Sequence, residues 1–502
     1  YKAEYYLEGI QVHFNPKLGI SPFPHKLIHM TKSDRSKLLG TQSIPKLLFR
    51  LSAPAAVGMI SIALYNLVDA IFVGRGVSVA AIGAISIVFP VHMIIMGISQ
   101  LFGIGGASLI SRCLGAKDKD KAEKTLGNVI SLVFIFSNLM ILLCYIWMEE
   151  ILVLFGATPE LLPLSMEYLR IVLVGFMFFT FTVSLNNIAR AEGAAKIAMT
   201  SMLIGAAGNL ILDPIFIFVF KLGVSGAALA TTISQIFSFV FLLGYFLGGK
   251  SILALHWKNL KISFDLVKEI VSIGISVFVR QTISSLVVII FFHSLGHYGS
   301  DFYISIYGII HKITMFLFMP LFGLVQGLQP IVGYNYGAKN YKRVVQAIKT
   351  TLLASFIISL TFTLIIYIFP HFFFSLFNKS LRLQQEGARI IRIMIVVLPL
   401  VGVQIVGSAT FLALGKAVPA FILSISRQIL FLIPLLLLLP LFMGLDGVWY
   451  SLPLSDICAF ILSSAMLYHA LKKLANLPPV KTSGNEQIPL LEQNQESGEN
   501  LF

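Results

Sequence analysis

Long apolar runs most constrain the fold of this chain. About twelve of them approach the ~20 residues that a helix needs to cross a bilayer. They are far too long for the ~10-residue strands of a membrane β-barrel. Only 12% of the residues are charged, whereas soluble domains have about 25%. The sequence therefore predicts an all-α polytopic membrane protein with twelve spans, at residues 48–72, 81–110, 125–147, 166–190, 197–220, 224–248, 267–293, 302–332, 345–370, 387–413, 418–442 and 447–473.

The first span carries a carboxylate. Asp69 lies in the segment SAPAAVGMISIALYNLVDAIFVGR, residues 52–75. A charge at the centre of a membrane helix costs about 2.5–3.5 kcal/mol, and such a residue usually faces a protein interior or a watery cavity. An aspartate near a helix end can also snorkel to the interface. Asp69 is thus a functional candidate whose alternative is a simple interfacial role.

Basic loops predict the orientation. Lysine and arginine are concentrated between spans two and three, six and seven, and eight and nine, all on one side of a twelve-span protein. Cytoplasmic loops carry this excess, so the net charge of +14 favours a membrane partner and no nucleic acid. An even number of spans places both termini in the cytoplasm.

Neither end is predicted to belong to the fold. We expect residues 1–43 to be an N-terminal extension, partly non-native or disordered, with Met30 as a plausible true start. Residues 474–502 are expected to be a disordered tail whose last four residues, Glu499 to Phe502, are similar to a damaged protease tag.

The chain repeats itself. LISRCLGAKDKDKAEKTLGNVIS (residues 109–131) matches IVGYNYGAKNYKRVVQAIKTTLL (residues 331–353), and Gly193 falls over Gly415 at the same offset. Two six-helix halves with parallel orientation would face each other across a cleft and could rock to alternate access. We therefore predict an N-lobe at 44–248, a cytoplasmic linker at 249–264 and a C-lobe at 265–473.

Polar residues meet at one depth in the predicted N-lobe. Asn209 and Asp213 are four apart, so they share a helix face, and Pro214 removes a backbone donor. At ~1.5 Å per residue, Asp213 and Thr231 lie ~10 Å and Asp69 ~8 Å from the outer side. Asn209 alone is typical of helix–helix contacts. Together these oxygen-bearing residues predict a small-cation site, with Na⁺ as the candidate metal ion.

Two carboxylates held close together in a low dielectric repel each other, so a proton could take the place of the metal ion. Tyr65 and Asn66, one turn from Asp69, can extend the polar network inward. No nucleotide-binding loop, zinc spacing or cysteine framework is apparent in the sequence. We therefore expect no enzyme activity and no cofactor, and coupling to an ion gradient.

The second half lacks acids at the positions equivalent to Asp69 and Asp213. It carries Arg280 in span seven and His311 in span eight instead, with Arg427 in span eleven. Arg280 either lines the cleft or pairs with a neighbour, and His311 could contact substrate at a hydrated kink. Pro54 is either a hinge in the first helix or a helix-start proline, and Pro214 is a second hinge candidate.

These motifs resemble the MATE family of multidrug and toxic compound extruders, and are most similar to its DinF-like prokaryotic branch. The resemblance covers about Ile44 to Lys473 and is carried by APAAVGMISIALYNLVDAIFVGR, LISRCLGAKD, RAEGAAK, GNLILDPIF, GVSGAALATTISQ and QGLQPIVGYNYGAKN. It implies a V-shaped bundle of two six-helix lobes in a bacterial or archaeal cell membrane, a monomer that exports cationic or amphipathic drugs in exchange for Na⁺ or H⁺. By family pattern the cation-coupling residues are Asp69, Asn209, Asp213 and Thr231. Tyr65 and Asn186 join the surrounding network, and Pro54 lies at the bend of the first helix.

Two rival functions remain open. A lipid-linked oligosaccharide flippase of the same superfamily would have a more basic cleft and usually extra helices. A channel-like membrane protein would have no coupled cycle. Dependence of dye efflux on an ion gradient separates the antiporter from the channel.

Overall fold

The computed structural model describes residues 38–77, 79–377 and 380–477, without the side chains of residues 66, 67, 70, 74, 75, 79, 80, 82, 285 and 301. Both predicted terminal segments lie largely outside these ranges. Within them the secondary structure is helical, with no strand. Apolar runs form helices in a membrane because no water is there to satisfy an open backbone.

The helices of the N-lobe are α1 (Ile44–Gly76), α2 (Val79–Gly115), α3 (Lys119–Ile146), α4 (Met148–Leu154), α5 (Leu162–Ala191), α6 (Ala195–Pro214) and α7 (Gly223–Leu247). Those of the C-lobe are α8 (Phe264–Tyr298), α9 (Asp301–Gly337), α10 (Tyr341–Ile368), α11 (Pro370–Ser375), α12 (Leu381–Ile395), α13 (Leu398–Leu414), α14 (Ala417–Ile425), α15 (Ile433–Met443) and α16 (Leu445–Asn476). A 3₁₀ turn, Trp257–Leu260, lies in the connection between them.

Eleven helical segments of the described chain are long and apolar enough to cross a membrane. A twelfth span is formed if α12 and α13, which meet at a bend of 46°, are counted together. The prediction of twelve spans is confirmed when this bent pair is counted as one span. The tenth predicted span is therefore a bent pair, with Pro399 in the first turn of its second helix.

The two lobes pack through matching pairs of helices. Helix α1 packs on α9, and α2 packs on both α8 and α9. Under the repeat, α1 corresponds to α8 and α2 to α9, so the α1–α9 and α8–α2 contacts are equivalent. Buried residues from both lobes form one core there, including Leu47 and Leu51 of α1, Ile273 of α8 and Leu328 of α9.

Two glycines allow the backbones of α2 and α9 to approach each other closely at this junction. A Cβ on Gly115, at the end of α2, would stand 1.9 Å from the carbonyl oxygen of Tyr334 on α9. A Cβ on Gly337, at the end of α9, would stand 2.0 Å from the carbonyl oxygen of Arg112 on α2. Only glycine allows such an approach of two helix backbones. The repeat aligns these two glycines in sequence, and in the structure each contacts the helix that carries the other. The lobes are therefore in close contact at the ends of α2 and α9.

Both hinge candidates lie in helical surroundings. Pro54 is inside α1, ten residues after Ile44, so the alternative of a helix-start proline is wrong. Pro214 ends α6 and is followed at once by a π-helical segment, Ile215–Val219. Proline cannot donate the backbone hydrogen bond that an α-helix needs, and this local change of helix type follows from that loss.

Candidate functional site

Three predicted site residues are joined by one amide group. The Nδ2 atom of Asn209 donates to Oδ1 of Asp213 at 3.2 Å and to Oγ1 of Thr231 at 3.3 Å. Asn209 and Asp213 are buried, with 2% and 0% of their surface exposed. The four-residue spacing on α6 produces the first bond, and the packing of α6 on α7 produces the second.

Asp69 of α1 completes this group. Its carboxyl group lies within hydrogen-bonding reach of the Asp213 carboxyl group. Helix α1 packs on α6, which brings together two acids separated by most of the N-lobe sequence. The predicted cation-coupling residues Asp69, Asn209, Asp213 and Thr231, the cation-site candidate, are therefore adjacent in the structure.

Three oxygen atoms of the cation-site candidate are buried without a hydrogen-bond partner. They are Oδ1 of Asp69, Oδ1 of Asn209 and Oδ2 of Asp213. Buried polar atoms normally have a partner, and an exception calls for an explanation such as an ion. The described residues contain no group of three or more His, Cys, Asp or Glu placed to hold a metal ion. A cation here would be held by two carboxylates and neutral oxygens, which suits a hard ion or a proton.

Two tyrosines lie beside the acids. Tyr65 of α1 is close to both Asp69 and Asp213, as the sequence predicted. Tyr168 of α5, which sequence reasoning missed, is also close to both acids, and its hydroxyl faces Thr231. Tyr168 is 8% exposed. Tyr168 lies six residues after Leu162, the first residue of α5. This depth is similar to the one predicted for Asp213 and Thr231, and it is the signal in the sequence that points to Tyr168.

Other predicted network residues are placed differently. Asn186 of α5 donates from Nδ2 to Oγ of Ser201 at 3.4 Å. Ser201 precedes Asn209 by about two turns of α6, or ~12 Å along the helix. The side chain of Asn66 lies outside the part of the chain that the structure describes.

A family model named MatE matches residues 54–215 and again residues 275–438, once in each half. The chain belongs to the MatE family. The two matches cover both lobes, including every residue of the cation-site candidate except Thr231.

Relatives and solved structures agree with this assignment. The MatE chain is 30% identical over 415 residues to the "Multidrug export protein MepA" of Staphylococcus aureus strain MRSA252, covering 82% of this chain and 91% of the relative. It is similar to the solved structure of the "MATE multidrug transporter DinF-BH", at 40% identity and TM-score 0.82, covering 88% and 98% of the two chains. An "outward-facing conformation of a multidrug resistance MATE family transporter of the MOP superfamily" matches at 26% identity and TM-score 0.84, covering 89% and 100%.

The predicted fold class is confirmed by these matches: this MatE protein is a polytopic helical membrane protein of two pseudo-symmetric lobes. The recognition of the family from its motifs is likewise confirmed. The roles of the predicted site residues stay predictions, although the structure brings four of them and Tyr65 together.

The C-lobe contains an acid that sequence reasoning missed. Asp456 of α16 pairs through Oδ1 with Nε of Arg427, which lies in a π-helical segment, Ser426–Leu432. Asp456 is 4% exposed. Beside this pair, the Nε2 atom of Gln428 donates to Oγ of Ser284 on α8 at 2.7 Å. The acid was missed because no amide or second acid lies four residues from it, the spacing that singled out Asn209 and Asp213 on α6.

Arg280 and His311 occupy separate positions in this lobe. Arg280 is part-buried on α8, one turn before Ser284, and belongs to none of the salt bridges found among the described residues. Whether Arg280 lines the cleft or pairs with a neighbour stays a prediction. His311 is exposed on α9, with its ring 5.9 Å from the ring of Tyr307.

Proposed function

We propose that this MatE protein is a secondary active multidrug efflux antiporter. It exports cationic or amphipathic compounds in exchange for Na⁺ or H⁺ and alternates access by rocking its two lobes. The names of its relatives support the drug substrates: a multidrug export protein is 30% identical, and a multidrug transporter of solved structure is 40% identical.

The observation that carries the proposal is the set of three buried, unpartnered oxygens in the cation-site candidate. All three would gain a partner if one Na⁺ ion bound between α1 and α6, and a shared proton would serve the two carboxylates. Two adjacent carboxylates without a cation repel each other, and this repulsion is strong where water is excluded. A Na⁺ ion held by Asp69, Asn209, Asp213 and Thr231 removes that penalty. A proton shared by Asp69 and Asp213 does so as well.

Exchange requires that the ion and the drug favour different states of the lobes. A ligand shifts an equilibrium only by its difference in affinity for the two states. Asp69 lies on α1, which also packs on α9 of the opposite lobe. A cation that draws α1 towards α6 would therefore change a helix that forms the lobe junction, and a drug in the cleft would favour the other arrangement.

Replacement of Asp213 by Asn tests the site. We expect drug efflux to fall about 10- to 100-fold, since a charged hydrogen-bonding group contributes about 1.5–3 kcal/mol. The matched control is Asp120→Asn, which changes an exposed carboxylate in the first turn of α3. Efflux would be followed as dye accumulation in cells that express equal amounts of each protein. Full efflux by a correctly inserted Asp213→Asn variant would reject the assignment.

A further inference from the structure

A small cavity with a mixed polar and apolar lining lies between the lobes, well away from the cation-site candidate. It is enclosed by α2 and α5 of the N-lobe and by α9 and α13 of the C-lobe. Its polar lining residues are Ser108, Ser111, Asn187, Arg190, Gln326 and Gln329. It leaves room for a body of about the size of one water molecule.

Arg190 brings a buried positive charge to this cavity. It is 8% exposed, and its Nη1 atom is buried without a hydrogen-bond partner. Its Nη2 atom donates to Oδ1 of Asn187 at 2.8 Å, which fixes the guanidinium group but supplies no negative charge. Arg190 belongs to none of the salt bridges in the described part of the chain.

The nearest acid in sequence is engaged elsewhere. Glu192 accepts hydrogen bonds from Tyr245 and, through Oε2, from Oγ of Ser251 and the backbone nitrogen of Ile252, both at 2.8 Å. The cavity lining itself contains no carboxylate among the described residues. Burial of a charge without a counter-charge is strongly unfavourable, so a negative ion is expected to reside beside Arg190.

The other lining groups suit an anion. The Oε1 atom of Gln326 on α9 is also buried without a partner. The two ends of a glutamine amide are interchangeable by rotation, so Gln326 can turn its Nε2 donor towards the cavity. The hydroxyl group of Ser108 donates a hydrogen bond to the carbonyl oxygen of Leu412, and this bond holds α2 against α13 across the lobe junction.

We propose that Arg190 and Gln326 form a binding site for one small monovalent anion such as chloride, with Asn187 holding the guanidinium group of Arg190 in place. The small volume favours a monatomic ion over a polyatomic anion such as sulfate. Because its walls come from both lobes, the ion bridges them and stabilises the arrangement in which the Gly115 and Gly337 ends are closed. Separation of the lobes at these ends would admit water to Arg190 and release the ion.

The test is thermal unfolding of the full-length purified protein during titration with sodium chloride, at constant sodium and ionic strength maintained with sodium gluconate. A ligand that binds only the folded state raises the unfolding midpoint in a saturable manner. We expect a rise on the order of a few degrees with chloride and with bromide, and none with sulfate. An unfolding midpoint that is the same in chloride and gluconate would overturn the proposal and leave only water in the cavity.

Substitutions test whether Arg190 and Gln326 cause the chloride-dependent rise of the unfolding midpoint. Arg190→Gln is expected to abolish the chloride-dependent rise, whereas Arg170→Gln, the same change at an exposed position of α5, is expected to keep it. Gln326→Glu supplies a built-in negative charge from the opposite lobe. It is expected to remove the chloride dependence and to raise the unfolding midpoint in gluconate, and it keeps the test decisive if Arg190→Gln does not fold. An unchanged chloride response in either Arg190→Gln or Gln326→Glu would contradict the proposed site.

Discussion

Asn209 connects two helices of the cation-site candidate through one amide nitrogen. Its Nδ2 atom donates to Asp213 within α6 and to Thr231 on α7, and this leaves its Oδ1 atom pointing away from both bonds and without a partner. The amide thereby leaves one buried oxygen without a partner in the group that contains the two carboxylates. At this scale the sequence predicted which residues lie together, because a spacing of four and a shared depth are directly readable from the chain.

Loss of the Thr231 hydroxyl should weaken this orientation without removing a charge. We expect Thr231→Val to raise the ion concentration for half-maximal efflux about five-fold, since one neutral hydrogen bond contributes about 1 kcal/mol. The control is Thr200→Val, which removes a hydroxyl on α6 that donates only to the Lys196 carbonyl oxygen of its own helix. Equal ion dependence of wild type and Thr231→Val in a vesicle efflux assay would speak against Thr231 as a site residue.

Two aspartates of α16 each pair with an arginine of another segment. The two pairs differ in burial and should differ in their contribution to stability. Asp456→Asn removes the counter-charge of the Arg427 guanidinium, and we expect the free energy of unfolding to fall by about 3–5 kcal/mol. Asp446→Asn breaks the exposed pair with Arg389, and we expect a change of about 0–1 kcal/mol. Denaturant unfolding in detergent measures both; similar effects of the two substitutions would contradict the difference in burial.

At the scale of elements, helix boundaries and breaks account for most of what the sequence could not predict. The hydrophobic runs gave the spans because their length is set by the bilayer. The bend between α12 and α13 and the π-helical segment after α6 lie in apolar stretches, so hydropathy alone does not reveal them. The π-helical segment after α14 begins with Ser426, Arg427 and Gln428, but these polar residues are too few to divide the predicted span. The Gly115 and Gly337 contacts were missed for a different reason: the repeat identified both residues, but only the coordinates show that they touch the opposite lobe.

Alanine at either of these glycines should disturb the lobe junction. We expect Gly115→Ala and Gly337→Ala each to destabilise the closed arrangement by about 1–3 kcal/mol, because a Cβ would overlap a backbone oxygen of the other lobe. Gly244→Ala in α7, where a Cβ would meet nothing within 4 Å, is the control and should be neutral or slightly stabilising. Disulfide trapping between cysteines placed in the loops after α2 and α9 reports closure, and unchanged trapping in the two variants would contradict this role.

At the scale of the whole molecule, the two lobes share a fold but carry different charges in the membrane. The N-lobe brings Asp69 and Asp213 together, whereas the C-lobe has Arg280, Arg427 and Asp456 in its helices. The repeat in the sequence predicted the shared fold, and the lack of acids equivalent to Asp69 and Asp213 in the second half predicted a difference in charge between the lobes. The position of Arg190 between the lobes was not predictable, because residues from four helices define that cavity.

The central claim is that the carboxylates of one lobe couple export to an ion gradient. The most direct measurement is dye efflux from vesicles containing the purified protein, with a Na⁺ gradient or a pH gradient imposed separately, in wild type and in Asp69→Asn. Our account predicts that one of the two gradients drives efflux in wild type and that Asp69→Asn loses this dependence. Dye movement that is indifferent to both gradients, or that is equally gradient-driven in Asp69→Asn, would contradict it.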